Sequence, residues 1–253
     1  MKPNLHIETY GDGHDVHFGI PGFGAPHEKS FGDVVERMPE HIKFYGVDPP
    51  GIGKSPRPSE WTWDTVTDLL LESLEHTVEE VGEPIRLVGA CSGGFHALEM
   101  ATRRPDLISE LVLIEPFGYM PWFVRALVIP GLGYSVFHAM FGTETGRGLI
   151  QAGLTARGLT GGFDTMSSFA NARAEDLHTY LRFYRNCEIR GAQFFKDIDV
   201  PKRLFHGSGT FGAVKDALPM WQAMWKDLEI ITIDGVGHQV TQEDPDQLVA
   251  KMF

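Results

Sequence analysis

The chain has 253 residues and a formal net charge of -12. Its amino-acid composition is that of an ordinary globular protein, which excludes a disordered chain. Its excess of acidic over basic residues argues against nucleic acid as a partner, because phosphate binding needs clustered lysine and arginine. No apolar run reaches the ~18 residues of a membrane span. No apolar leader follows Met1, so a cytoplasmic protein with reduced thiols is expected. Cys91 and Cys187 have no partners at zinc-ligand spacing, and no cofactor or metal is indicated.

Short β-rich runs alternate with helical patterns along most of the chain. Several of these runs are apolar without alternation, as expected for parallel strands that are covered on both faces. Strand and helix in this rhythm predict an α/β fold with a mostly parallel, doubly wound sheet. The predicted strands are Val16–Ile20, Lys43–Val47, Ile85–Val88, Leu111–Ile114, Arg203–His206 and Glu229–Ile233.

The helical pattern between the second and third of these strands has a clear apolar stripe. Val66, Leu70 and Leu74 recur at a spacing of four residues, and acidic residues between them indicate a solvated face. The chain is therefore expected to lay this helix along one face of the sheet.

Residues 117–199 interrupt the rhythm, because this stretch is helical and loop-like and contains no convincing strand. A connection of this length predicts a helical cap over the C-terminal edge of the sheet. The core would then consist of residues 1–116 and 200–253. A peripheral helical subdomain without substrate contact is the alternative. If the segment is a cap, four of its aromatic side chains are candidates for binding an apolar part of a substrate. They are Trp122, Phe123, Phe137 and Phe141. Aromatic residues in such a segment belong to the hydrophobic core just as often.

The most informative segment follows the strand that ends at Val88. The pattern Gly89-x-Cys91-x-Gly93 matches the strand–turn–helix setting of a G-x-S-x-G nucleophile elbow, in which a strained central residue needs small neighbours. The strand end places Cys91 at the tip of the turn. Ser92, one residue later, is an alternative nucleophile, and an inert buried thiol is a third interpretation. A helix N-terminus and a nearby histidine both favour the reactive thiolate.

Four motifs in the right order resemble the α/β-hydrolase superfamily, in the capped branch that includes meta-cleavage-product hydrolases, haloalkane dehalogenases and proline iminopeptidases. The resemblance covers the chain from about Val16 to Phe253. It implies the α/β-hydrolase fold, with the cap inserted after the sixth strand of the family's sheet. The motifs besides the elbow are the oxyanion loop Ile20-Pro21-Gly22-Phe23-Gly24, with Pro21 in place of the family's histidine, the loop from Asp48 to Ser55, and Gly235-Val236-Gly237-His238.

The resemblance also implies roles for individual residues. His238 would act as the general base and then as the general acid. The backbone N–H groups of Phe23 and Ser92 would form the oxyanion hole that stabilises a tetrahedral intermediate. Asp48 is expected to be structural rather than catalytic.

The family's acid is missing from its usual place, because Thr210 holds that position in the loop after the strand Arg203–His206, which is the seventh strand of the family's sheet. Some relatives carry the acid at the end of the family's sixth strand, where this chain has Glu115 after Leu111–Ile114. A Cys91–Glu115–His238 triad is therefore expected. The alternative is a Cys91–His238 dyad beside a structural carboxylate.

These residues predict an acyl-transfer hydrolase that cleaves an ester, thioester or lactone through a thioacyl-enzyme on Cys91. The substrate would be a small molecule with an apolar portion. One alternative is an acyltransferase or cyclase that passes the acyl group to an acceptor other than water. Others are a non-catalytic ligand-binding relative and a thiol that senses oxidants. The oligomeric state stays open.

Overall fold

The computed structural model describes residues 4–156, 166–169 and 172–253. Within these residues, seven strands form one sheet in the order β1-β3-β2-β4-β5-β6-β7. The edge strand β1 runs antiparallel to β3, and the other neighbouring pairs are parallel. The predicted mostly parallel sheet is therefore confirmed. The strands are β1 Ile7–Tyr10, β2 Asp15–Ile20, β3 Ile42–Val47, β4 Ile85–Ala90, β5 Ile108–Ile114, β6 Lys202–Gly207 and β7 Glu229–Ile233.

Helices flank this sheet and fill the long connection between β5 and β6. Short 3₁₀ and π turns supplement them at Pro105–Leu107, His138–Gly142, Ser167–Phe169 and Ala192–Phe195. The α-helices are α1 His27–Val35, α2 Trp63–Val81, α3 Gly93–Arg103, α4 Trp122–Ala126, α5 Gly133–Phe137, α6 Glu144–Ala156, α7 Ala174–Arg190, α8 Gly212–Lys215, α9 Leu218–Met224, α10 Val240–Glu243 and α11 Pro245–Met252. None of these described helices is both long enough and apolar enough to cross a membrane.

Helix α2 shows why the sequence folds as predicted here. Thr62 caps its N-terminus, because the Thr62 hydroxyl accepts a hydrogen bond from the Thr65 N–H at 3.0 Å. Gly82 ends the helix in the left-handed conformation. The predicted apolar stripe faces the core, and Val66, Leu70 and Leu74 are fully buried. Each such side chain contributes roughly 1.5–3 kcal/mol by leaving water.

The described part of residues 117–199 contains helices and turns but no strand. Its helix α7 is held on the core by buried polar contacts. Asp176 accepts an ion-paired hydrogen bond from Arg57 at 2.7 Å, and the Tyr180 hydroxyl donates to the Pro50 carbonyl at 2.9 Å. At the other end of α7, Arg190 donates to the buried carboxylate of Glu99 at 2.5 Å. Helix α7 is thereby fixed relative to the sheet.

The carboxyl ends of the parallel strands meet at one edge of the sheet. Strand β4 leads there into the turn before α3, and β5 ends at the same level next to Glu115. In open parallel sheets this edge is where ligands bind.

Candidate active site

The turn between β4 and α3 holds Cys91 in a strained conformation, with a φ of 50°. Ser92 has an ordinary helical φ of -69°, so the tip of the turn is at position 91. Close packing explains the small residues around it. A Cβ atom on Gly89 would lie 2.7 Å from the Gly94 Cα, and one on Gly93 would lie 2.4 Å from the Pro21 carbonyl oxygen.

The loop after β2 lies directly against this turn. A Cβ atom on Gly22 would lie 3.4 Å from the Cys91 Cβ, so a larger side chain would crowd the thiol. The Gly22 N–H donates to the Ser30 hydroxyl at 3.2 Å, which ties the loop to helix α1. The loop that contains Phe23 is thus held beside the sulfur atom.

His238 reaches the same place from the loop after β7. Its Nε2 atom lies 3.3 Å from the Cys91 sulfur, and its Nδ1 atom lies 2.6 Å from Glu115 Oε2. Glu243 orders the loop on both sides of the ring, because it accepts hydrogen bonds from the N–H groups of Gly237 at 2.8 Å and Gln239 at 3.1 Å. The structure therefore brings the three predicted residues into hydrogen-bonding contact.

The Glu115 carboxylate is buried, with 1% of the residue exposed, and it follows β5 with a φ of 57°. Its Oε1 atom accepts a hydrogen bond from the Gly207 N–H at 2.5 Å. Its Oε2 atom accepts one from the Thr210 hydroxyl as well as contacting His238. A buried carboxylate needs such partners, and these donors also fix the direction in which it faces the imidazole.

The surroundings of His238 strongly favour its protonated form. Burial lowers the pKa of His238, but the Cys91 sulfur and the Glu115 carboxylate outweigh it and raise the pKa to about 10. The ring is 30% exposed, and Phe211 packs edge-on against it with ring centroids 4.6 Å apart. The arrangement suits an imidazolium between a thiolate and a carboxylate.

A cavity of about 340 Å³ opens on the sulfur and the imidazole. We call it the nucleophile cavity. The loop with Phe23 forms one wall, and residues of the helical insertion cover it on another side: Leu154, Met166 and Phe169. The thiol of Cys91 is thus accessible to a small molecule.

A second cavity, of about 500 Å³, shares Phe23 with the nucleophile cavity and reaches Ser92. We call it the apolar cavity, because its lining is almost entirely apolar or aromatic: Phe117, Met120, Pro121, Phe123, Val124, Leu181, Tyr184 and Phe211. Each cavity reaches the turn that carries the thiol, the nucleophile cavity at Cys91 and the apolar cavity at Ser92.

The four aromatic residues predicted to bind substrate have different surroundings. Phe123 lines the apolar cavity, whereas Trp122 is 80% exposed and lines neither cavity. Adjacent residues of a helix point in different directions, so the two side chains of α4 cannot share one environment. Phe137 is fully buried and stacks on Phe141 with centroids 4.8 Å apart. These two rings pack within the helical segment and line neither of the two cavities, and substrate binding by Trp122, Phe137 and Phe141 stays a prediction.

Three contributors to the site were not predicted as such. Thr210 was predicted only to occupy the position where the family usually has its acid. Its hydroxyl in fact donates a hydrogen bond to Glu115, the carboxylate that contacts His238 instead. Phe211 packs on the imidazole, and Glu243 orders the loop around it. The glutamate follows His238 by five residues, which is a local signal that could have been read. Asp48 lies apart from these groups and binds His27 and the Lys54 N–H, as a structural residue would.

The model of the alpha/beta hydrolase family matches residues 17–251. Among curated proteins, the chain is 34% identical over 122 residues to the pimeloyl-[acyl-carrier protein] methyl ester esterase of Chromobacterium violaceum, over 48% of this chain and 43% of that protein. It is 21% identical over 265 residues to the enzyme of the same name in Nitrosospira multiformis, over 98% and 97%. In several of the curated relatives that it matches, the chain spans about half of their length.

Among solved structures, the chain is similar to a thermophilic esterase from Thermogutta terrifontis, with a TM-score of 0.75 and 15% sequence identity. That similarity covers 98% of this chain and 91% of the esterase. At this identity the structural likeness supports the fold alone.

Proposed function

This chain belongs to the alpha/beta hydrolase family, and we propose that within it the protein is an ester- or thioester-cleaving hydrolase that works through a thioacyl-enzyme on Cys91. One observation carries the proposal. The sulfur of Cys91 lies 3.3 Å from His238 Nε2, while His238 Nδ1 lies 2.6 Å from the Glu115 carboxylate. A nucleophile, a base and an orienting acid in such contact are the recurring arrangement of covalent acyl transfer.

In the first step the Cys91 thiolate attacks the carbonyl carbon of the substrate, and a carbon–sulfur bond forms. The negative charge moves to the carbonyl oxygen, where the N–H groups of Phe23 and Ser92 would stabilise it. The tetrahedral intermediate then breaks its bond to the leaving group. His238 donates its Nε2 proton to that group, which departs as an alcohol or a thiol.

In the second step His238, now neutral, removes a proton from water, and the resulting hydroxide attacks the thioester carbon. The carbon–sulfur bond breaks, the acid leaves, and the imidazolium and thiolate of the resting site are restored. Glu115 keeps the Nδ1 proton in place throughout and stabilises the imidazolium. Protons and charge therefore balance over one turnover.

The cavities support a substrate with an apolar part. The apolar cavity has room for an acyl chain close to the turn, and Phe123 of the helical insertion contributes to its wall. Residues 117–199 would then act as a cap over the site. The names of the relatives support ester cleavage, since they include methyl ester esterases.

The two cavities that reach the turn favour a second candidate, an acyltransferase or cyclase. One cavity could hold the acyl group while the other holds an acceptor other than water. Thioesters react readily with amines and thiols, so a thioacyl-enzyme suits such a transfer.

The test combines p-nitrophenyl esters of several chain lengths with mass spectrometry of the intact chain. We expect turnover, a transient acyl adduct on Cys91, and loss of turnover by roughly three orders of magnitude or more in Cys91→Ala. Cys187→Ala is the matched control. Burial raises the pKa of Cys187 to about 12, so this thiol should neither react nor matter for turnover. Turnover that survives in Cys91→Ala would contradict the proposal.

Adding hydroxylamine separates the two candidates. A hydrolase releases mainly the free acid at low hydroxylamine concentrations, whereas a transferase with a dry site releases mainly the hydroxamate. A non-catalytic relative would show neither product and no acyl adduct.

A further inference from the structure

A second group of ionisable side chains lies around the edge strand β1 and the carboxyl end of β3. His6, Glu8 and Tyr10 alternate along the chain, and alternate residues of a strand point to the same face. Helix α1 begins at His27 and brings that imidazole to the same face. Glu8 Oε2 lies 3.5 Å from His27 Nε2 and 3.7 Å from His6 Nε2.

Asp48 sets the orientation of the His27 ring. Its Oδ1 atom accepts hydrogen bonds from His27 Nδ1 at 2.7 Å and from the His27 N–H at 2.9 Å, and its Oδ2 atom accepts one from the Lys54 N–H at 2.8 Å. With Nδ1 donating to Asp48, Nε2 carries the lone pair of the ring. That nitrogen faces Glu8 and forms a hydrogen bond of 3.0 Å with the Tyr10 hydroxyl, which a bound metal would displace. Histidines that bind metals are commonly oriented by a carboxylate in this manner.

His6 contributes a nitrogen that lacks a good partner. Its Nε2 atom is buried and makes no hydrogen bond within the described part of the chain. The nearest carboxylate oxygen, on Glu8, is 3.7 Å away, beyond hydrogen-bonding distance. One ligand atom of His6, one of His27 and one of Asp48 all lie within 4.8 Å of one another. An unpaired buried nitrogen is costly unless something binds it.

We propose that His6, Glu8 and His27 form a binding site for a divalent transition-metal cation such as Zn²⁺. Ligand atoms that bind zinc tetrahedrally at 2.0–2.1 Å are about 3.3 Å apart. The spacings of 3.5 and 3.7 Å around Glu8 are close to that value, and the two imidazole nitrogens must also approach each other for one ion to bind all three groups. Two imidazole nitrogens and one carboxylate oxygen are a donor set that suits zinc. The Tyr10 hydroxyl or water would complete the coordination.

The local charge agrees with a cation site. Three acidic side chains, Glu8, Glu28 and Asp48, surround Tyr10 and place negative charge beside the proposed ligands. Lys54 is the opposing group, because its ammonium lies 3.8 Å from Glu8 Oε2. That lysine is largely exposed and can move into solvent when a metal takes its place.

Metal uptake is tested on the full chain with the Cys91→Ala substitution, because zinc would otherwise also bind the thiolate beside His238. Zinc chloride is titrated by calorimetry, and Co²⁺ is added separately to follow its visible absorption. We expect one bound ion per chain. His6→Asn and Glu8→Gln should each weaken the affinity by at least about tenfold. His27 is left unchanged, because it packs against Gly46 and its loss could unfold the chain.

His14→Asn is the matched control, because His14 and His41 form another pair of neighbouring histidines, with ring centroids 6.2 Å apart. It should bind zinc as the parent does. Zinc should also raise the melting temperature of the parent but not of Glu8→Gln, since only a binding-competent folded state is stabilised. The proposal is overturned if the parent binds no metal, or if His6→Asn and Glu8→Gln bind it as tightly as the parent.

Discussion

Two histidine–carboxylate pairs, one with its acid after β5 and the other with its acid after β3, have nearly the same geometry. In the first, His238 Nδ1 lies 2.6 Å from Glu115, and in the second, His27 Nδ1 lies 2.7 Å from Asp48. Each carboxylate follows the end of a strand and accepts further hydrogen bonds from the chain. Each therefore holds its imidazole so that Nε2 points away from the acid.

What faces Nε2 differs between the two pairs. His238 faces the Cys91 sulfur, whereas His27 faces the Tyr10 hydroxyl and the Glu8 carboxylate. His238 also borders a cavity that reaches the nucleophile. A histidine–carboxylate pair is therefore not by itself a catalytic device. The third partner and access from a cavity distinguish the role proposed for His238, proton transfer, from the role proposed for His27, cation binding.

Removing the carboxylate of each pair gives the largest expected contrast. Glu115→Gln should lower kcat/KM for a p-nitrophenyl ester by on the order of 10²–10⁴, because the amide can no longer hold the His238 tautomer and stabilise the imidazolium. Asp48→Asn should change kcat/KM little and lower the melting temperature instead. Steady-state kinetics and thermal unfolding of both variants check this.

A loss of stability without a loss of activity in Glu115→Gln would contradict the role proposed for this carboxylate. If Glu115→Gln keeps full activity while its melting temperature falls, Glu115 is a structural carboxylate and Cys91 and His238 act as a dyad. Glu110→Gln is a further control, because Glu110 is an ion-paired carboxylate of the same strand that binds Arg86 and Arg203 away from the thiol.

The elbow could be predicted from sequence because its signal is local. Gly89 is required by a contact within a few residues, that with Gly94. The placement of Glu115 was implied by the family resemblance, because some relatives carry the acid at the end of this strand. The parallel sheet was equally readable, since apolar strands alternate with amphipathic helices.

Other features depend on contacts that no local pattern encodes. Thr210 and Glu115 are 95 residues apart, and only the fold places the hydroxyl on the carboxylate. Trp122 and Phe123 are equivalent aromatic residues in sequence, and only the direction of a short helix separates an exposed ring from one that lines a cavity. The group around His27 combines a strand face with a helix start, a spacing for which no sequence motif exists.

The pH dependence of turnover tests the role of His238 as the proton donor. Because its pKa is raised to about 10, the ring stays protonated through neutral and mildly alkaline pH and can donate to the leaving group. Turnover should be retained up to that pH and then fall about tenfold for each further pH unit. Alkylation of Cys91 by iodoacetamide needs only the thiolate, so its rate should not fall over the same range. If turnover and the alkylation rate both fall above pH 10, the cause is unfolding of the chain, which circular dichroism detects.

The smallest expected effect comes from the hydroxyl that supports the acid. Thr210→Val keeps the shape of the side chain but removes the hydrogen bond to Glu115 Oε2. A hydrogen bond to a charged group contributes about 1.5–3 kcal/mol, and since Gly207 and His238 still bind the carboxylate, kcat/KM should fall only about tenfold. The charge on Glu115 would then act more strongly on His238, so the alkaline limb of the pH profile should move upward. Thr210→Ser keeps the hydroxyl, so its kcat/KM and the pH of its alkaline limb should match those of the parent. If Thr210 is purely structural, Thr210→Val should lower the melting temperature and leave the alkaline limb unchanged.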